Sequence, residues 1–410
     1  MEVLLSHWSV WLIMYVGFAL RMGVAFYGRG DAVGIELRGD ALHDLAAQNI
    51  LLGNGFTISV GRPYSFNPPG YAVFLAGAYL FFGRNWLAVG YSQAAASMLA
   101  IGLIYLITRR MFGRGAGILA ASMAAVYPYT IYHSSRVMDT TVFTLVLLTA
   151  VWMLVKVWQT GKRKDWLWLG LVVGTGCLVR ATMLAVLAGM LLWLVLTLGW
   201  KKGGGAVASC LAGVALIIMP WTFRNLYVEG ALIPIDSKGM TNMYIGNNPL
   251  TLQYMHQGVS LDTLWHDERL MQVPSGLTAA EEEQWYFLRV VEFVKSEPGT
   301  FAELLREKLI AFWSPRINPK IAQPLNSSFA YVREFSYMIS YVTLLGFAFV
   351  GVAASVRHRR ETTLFLFLCV LYTLVNILVW ASTRLRMPLD SLLAVFSGYG
   401  MLRVISYKVR

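Results

Sequence analysis

Long apolar runs recur along this chain, and no other feature restricts its fold as severely. A membrane span takes about 20 mostly apolar residues, and in lipid every backbone N–H and C=O must be satisfied within the segment itself, which selects helices. Runs of suitable character occupy 8–27, 86–107, 115–132, 140–158, 166–178, 183–200, 205–221, 335–355, 363–381 and 389–406. The fold class that follows is an all-α polytopic membrane protein with about ten transmembrane helices. Composition agrees: of 410 residues 57% are hydrophobic and 14% charged, whereas a soluble domain is about a quarter charged. The run 166–178 is short, and one half of a broken helix pair remains an alternative there.

A net charge of +12 raises the question of nucleic acid, and the placement of the charges answers it. Basic residues gather between apolar runs, at Arg109, Arg110 and Arg114, at Lys162 to Lys164, at Lys201 and Lys202, at Arg357 to Arg360, and at Lys408 and Arg410. Such clusters face the cytoplasmic leaflet, so no nucleic-acid partner is implied. All of them fall on one side if the apolar stretch 70–83, which follows Pro68 and Pro69 and is short, lies at the surface as a juxtamembrane helix. Both termini are then cytoplasmic. The N-terminus lacks a basic leader and a clean cleavage site, which predicts a retained helix. Cys177, Cys210 and Cys369 sit inside apolar runs with no paired spacing.

Three regions result. Residues 1–221 form an N-terminal transmembrane module whose first outer loop covers 29–85; residues 222–334 form an external region; residues 335–410 supply the C-terminal spans. Two amphipathic helices are predicted in the external region. One covers 278–295, where Thr278 precedes Glu281 as a capping pair and Pro298 breaks the helix, and the other covers 300–313.

Chemistry is expected on the outer side. Asp40 precedes a predicted helix over 41–52, and Asp139 opens a span; each suits a helix N-cap and equally a catalytic carboxylate. Outer basic residues run against the positive-inside rule, which singles out Arg180, Arg224, Arg384 and Arg386. Arg21 lies within a span, where an arginine is costly and marks function unless it snorkels to the headgroups. Guanidinium groups match phosphate oxygens, so these five are candidates for a lipid phosphate. Asn225, Asn247 and Asn248 suit either turns or sugar hydroxyls. His43, His133, His256 and His266 show no metal-ligand spacing, and no metal or cofactor is indicated.

The segments GDALHDLAAQNILLGNGF, FNPPGYAVFLAGAYLFFG, VMDTTVF, GLVVGTGCLVRATML, MPWTFRNLYVEG, IGNNP and RLRMPLD follow one another in an order that resembles the GT-C membrane glycosyltransferases, in particular the branch of protein O-mannosyltransferases and lipid A aminoarabinose transferases. The resemblance implies transfer of a sugar from a polyprenyl-phosphate donor to a lipid, glycan or protein acceptor at the outer face, with Asp40 at the catalytic centre, Asp139 as a second acid and the later arginines on the carrier phosphate. It also implies a bacterial inner membrane. Relatives place another acid directly after the first; this chain has Ala41, with Asp44 as a substitute nearby. An inverting displacement with Asp40 as general base follows. The alternatives are a lipid-linked oligosaccharide flippase or polymerase and, less in keeping with ionisable groups at the outer helix ends, a solute transporter.

Overall fold

The computed structural model describes residues 2–27, 41–59, 62–259, 261–270, 272–316, 328–355 and 359–408. Seven helices are long and apolar enough to cross a membrane: α1 (Glu2–Tyr27), α4 (Trp86–Phe112), α7 (Thr140–Thr160), α10 (Trp200–Glu229), α15 (Ser328–Ala354), α16 (Arg359–Val379) and α17 (Thr383–Lys408). Three more expected crossings are shorter helices, α5 (Arg114–Val126), α8 (Arg163–Val179) and α9 (Met183–Leu198). With 13 residues, α5 is only about 20 Å long. The expected span 115–132 is in fact broken at Tyr127, where Pro128 opens the separate α6 (Pro128–Ser134). The last expected outer turn, 383–388, is instead the first turn and a half of α17, which carries Pro388 inside it.

Small residues let the helices meet backbone to backbone, as in membrane bundles generally. A Cβ on Gly170 of α8 would stand 2.0 Å from the Cys210 carbonyl of α10, and one on Gly213 would stand 2.3 Å from the Leu167 carbonyl. The contact of α15 with α17 repeats the device, Gly351 against the Phe396 carbonyl and Gly400 against the Phe347 carbonyl.

The remaining elements gather at the end of the bundle away from the basic clusters. These are α2 (Ala41–Leu51), a two-stranded antiparallel hairpin of β1 (Thr57–Ser59) and β2 (Arg62–Pro63), α3 (Pro69–Phe82), α11 (Lys238–Gly246), α12 (Pro249–His256), a 3-10 turn at Leu261–His266, α13 (Ala279–Ser296) and α14 (Pro298–Trp313). The expected surface helix over 70–83 is α3, and the two amphipathic helices are α13 and α14. Thr278 and Glu281 form the reciprocal capping box at the start of α13. Gly70 sets the layer's position: a Cβ there would lie 2.7 Å from the Leu178 carbonyl, so α3 presses on the last turn of α8. That contact carries the α2–α3 pair to the point where α8 ends.

Candidate functional site

The end of α8 delivers Arg180 to the start of α7. Arg180 Nε donates to Asp139 Oδ2 at 2.8 Å, and Nη2 donates to Asp139 Oδ1 and, at 3.0 Å, to Thr140 Oγ1. The guanidinium lies over the Phe143 ring, 5.2 Å from its centroid. Asp139 stands at the N-cap position of α7, yet its side chain makes no capping bond. Its carboxylate is spent on the arginine fork instead. Burial by itself pushes the Asp139 carboxyl up, but the Arg180 charge and its hydrogen bonds outweigh this and hold it at about 2. Arg180 is correspondingly pushed up by the carboxylate against its own burial. Its Nη1 is buried and has no hydrogen-bond partner among the described residues.

His43 and Arg384 act electrostatically on Asp139, and Lys238 joins Arg180 and Asp139 in acting on His43. His43, on α2, is buried and packs edge-on against Tyr71 of α3, 5.2 Å between ring centroids. Burial lowers its pKa to about 4, with Lys238 and Arg180 adding to the shift and Asp139 opposing it; the ring is neutral at pH 7 and its Nδ1 has no partner among the described residues. Lys238, at the start of α11, sits between the rings of Phe66 and Trp265, 5.4 Å and 5.5 Å from their centroids, and donates to Asn67 Oδ1 at 3.2 Å. The two rings meet edge to face with centroids 6.0 Å apart, and their joint approach favours a cation held beside them. Arg384, in the first turn of α17, is half-buried beside Met138, with Nη1 3.7 Å from the sulfur, and its charge acts on Asp139.

Of the residues expected at the site, the structure brings together Asp139, Arg180 and Arg384. Asp40 lies outside the described residues; α2 begins immediately after it. Asp44, the substitute second acid, is instead fully engaged: Tyr79 donates at 2.6 Å, Arg84 Nη2 at 2.7 Å and Gln48 at 2.9 Å. It ties α2 to α3 and to the loop before α4.

The other expected phosphate and sugar ligands have structural partners that occupy their polar atoms. Arg21 donates to the carbonyls of Gly17, Ala124 and Ala125 and to Thr130 Oγ1 at 2.8 to 3.1 Å. It satisfies the carbonyls left open where α5 stops short, which is why a span carries an arginine there. Arg224 donates to the Tyr64 and Phe56 carbonyls, both at 2.8 Å, and lies over Trp221, clamping the hairpin region to α10. Arg386 is fully buried, pairs with Asp390 at 3.1 Å, and donates to the Phe312 and Ser314 carbonyls and to the Tyr337 hydroxyl. It knots α14, α15 and α17 together. Asn225 donates to the Ile233 and Ile235 carbonyls. Asn247 joins the Met243 and Leu378 carbonyls to Lys308 Nζ, and Asn248 caps α12 while donating to Tyr244 and Ile245. These three amides answer backbone groups rather than facing a ligand.

His43 and Lys238 were not singled out from sequence as members of the site. The one available signal was that His43 follows Asp40 by three residues in the sequence.

Residues 67–223 match the family described as dolichyl-phosphate-mannose-protein mannosyltransferase. The match is less than half of the chain and contains Asp139 and Arg180. No curated protein sequence matches the chain. Among solved structures, the oligosaccharyltransferase AglB of Archaeoglobus fulgidus, in complex with an inhibitory peptide and a dolichol-phosphate, superposes with a TM-score of 0.57 at 14% identity, covering 97% of this chain and 50% of that one. Its apo form gives 0.57 at 13% identity, covering 97% and 51%. ArnT from Cupriavidus metallidurans, bound to undecaprenyl phosphate, gives 0.44 at 13% identity, covering 99% and 78%. This chain thus spans about half the length of the archaeal enzyme and has its transmembrane fold.

Proposed function

Proceeding from the GT-C architecture, we propose that this multi-pass membrane protein is a glycosyltransferase that moves a sugar from a polyprenyl-phosphate donor to an acceptor lipid, glycan or protein. The observation that carries the reading is the Asp139–Arg180 pair with His43 and Arg384 acting on it, and Lys238 acting on His43, at the end of the bundle opposite the basic clusters. That end is the external face, with both termini in the cytoplasm of a bacterial cell. The dolichol-phosphate and peptide in the archaeal oligosaccharyltransferase complex support a lipid phosphate and an acceptor as the occupants of such a site.

The reaction is an inverting single displacement. The acceptor oxygen attacks the anomeric carbon while the bond from that carbon to the phosphate oxygen breaks, the electron pair leaves with the phosphate, and the acceptor's proton passes to Asp40. The leaving phosphate needs positive charge more than a proton, and a preorganised charge costs no rearrangement during reaction. Arg384 and Lys238 supply it. Asp139 is a poor proton acceptor, since Arg180 holds its carboxyl at about 2; its role is to fix the Arg180 fork. Asp40 takes the base role because it immediately precedes α2, whose His43 lies in the electrostatic field of Asp139. No cofactor or metal is invoked.

The test is Asp40→Asn in protein reconstituted with a polyprenyl-phosphate sugar. Loss of a general base lowers the rate by about 10²- to 10⁴-fold. An unchanged rate removes Asp40 from that role, and retention of the anomeric configuration in the product removes the single displacement.

A further inference from the structure

A groove of about 1010 Å³ opens between α1, α6 and the first turns of α15, beside the same 134–139 turn that ends in Asp139. Its wall on α1 is one helical face, Val16, Leu20 and Val24, with Gly23 leaving open space where a side chain would project. From Tyr15 to Tyr27, both lining residues, α1 rises about 18 Å, close to half the roughly 30 Å hydrocarbon thickness. The groove therefore has the depth of one leaflet. Its end toward the loop layer is cationic: Arg136 and Arg333 both lie over the Tyr132 ring, 4.8 Å and 5.6 Å from its centroid, and Arg136 Nη2 donates to the Tyr132 hydroxyl at 2.6 Å.

An apolar trough one leaflet deep under two guanidinium groups has the complement of a lipid with apolar chains and an anionic phosphate. Guanidinium forks bind phosphate oxygens bidentately, and both lie near the same aromatic ring, on which a guanidinium plane stacks. We infer that this groove holds an anionic glycerophospholipid of the leaflet on the loop-rich side, its phosphodiester on Arg136 and Arg333. The sugar carrier is a different lipid on this assignment, because its phosphate must reach Lys238 and Arg384. The site rests on the groove's own geometry and does not depend on the transfer reading.

The experiment measures association of spin-labelled phosphatidylglycerol and phosphatidylcholine, with matched chains, to the full-length protein in bilayers. The wild type is expected to prefer phosphatidylglycerol by a factor on the order of ten. The pair Arg136→Gln and Arg333→Gln brings the ratio close to one. Gly23→Leu fills the trough without touching either arginine and lowers the association of phosphatidylglycerol. An equal affinity for the two lipids in the wild type overturns the site, as does a preference that survives in the double variant with unchanged Tm. Displacement of phosphatidylglycerol by a stoichiometric amount of undecaprenyl phosphate overturns it in favour of the carrier.

Discussion

Asp139 and Arg180 stand or fall together. Arg180 is 9% exposed and, among the described residues, its ion pair is with Asp139, so Asp139→Asn strands a charge in a site built to neutralise it. The Asp139 side chain is 22% exposed, so its removal costs about 2 kcal/mol, less than for a fully buried pair, and the freed fork drifts from its place, which lowers transfer on the order of a hundredfold. Replacing both, Asp139→Leu with Arg180→Met, is expected to return most of the stability and none of the activity, read by Tm in detergent and by the transfer assay. Recovery of activity in the double variant would make the pair purely architectural. The linkage has a definite sign: a carboxyl held at about 2 contributes stability that is fully present above the ordinary aspartate value near 4 and is lost as pH falls through about 2. The pair was half legible in the sequence, since an arginine on the wrong side of the charge asymmetry drew attention to Arg180. The same rule also selected Arg224 and Arg386, and the cost of an arginine inside a span selected Arg21, because both detect a costly placement without saying what offsets it. Carbonyls at a broken helix end or a neighbouring carboxylate do so as well as a phosphate does. His43 and Lys238 were illegible for the opposite reason, as their surroundings come from segments as distant as Phe66, Asp139 and Trp265.

Helices contact one another here where glycine or alanine removes the side chain, and α8 against α10 is one of the tight cases. Gly170→Leu would drive a Cβ to within 2.0 Å of the Cys210 carbonyl, a backbone atom that cannot swing aside. A loss of about 2 to 3 kcal/mol is expected, seen as a lower Tm, while Gly77→Leu on α3, where a Cβ meets nothing within 4 Å, leaves Tm unchanged. Equal effects at the two positions would refute close packing of α8 on α10. Apolar length located most elements, and the capping pair Thr278 and Glu281 placed the start of α13. Length misjudged α5, because hydropathy runs on through Pro128 although the helix cannot: proline offers no N–H and bars the continuing turn. It also misjudged the start of α17, where Arg384 and Arg386 read as a loop; inside the protein their charges are met by other elements, and the helix proceeds through them.

At the scale of the molecule, the site draws on every region of the chain. Asp139 and Arg180 come from the first module, Arg384, which acts on Asp139, from the C-terminal helices, and Lys238, which acts on His43, from the region 222–334. Their convergence requires that the ends of α8 and α10 and the starts of α7, α11 and α17 share one side of the bundle, with the basic clusters on the other. On the proposed topology the positive-inside rule puts the site at the external face. That assignment is open to direct measurement with a membrane-impermeant maleimide on intact cells. Ser275→Cys, exposed in the loop before α13, is expected to label from outside; Lys162→Cys, exposed between α7 and α8, labels only after the membrane is opened. The native thiols interfere little, since Cys177 and Cys210 are buried and Cys369 is partly so. The reverse pattern would put the Asp139 centre in the cytoplasm, and labelling of both from outside would mean that α7 and α8 do not return the chain across the bilayer as the charge asymmetry demands.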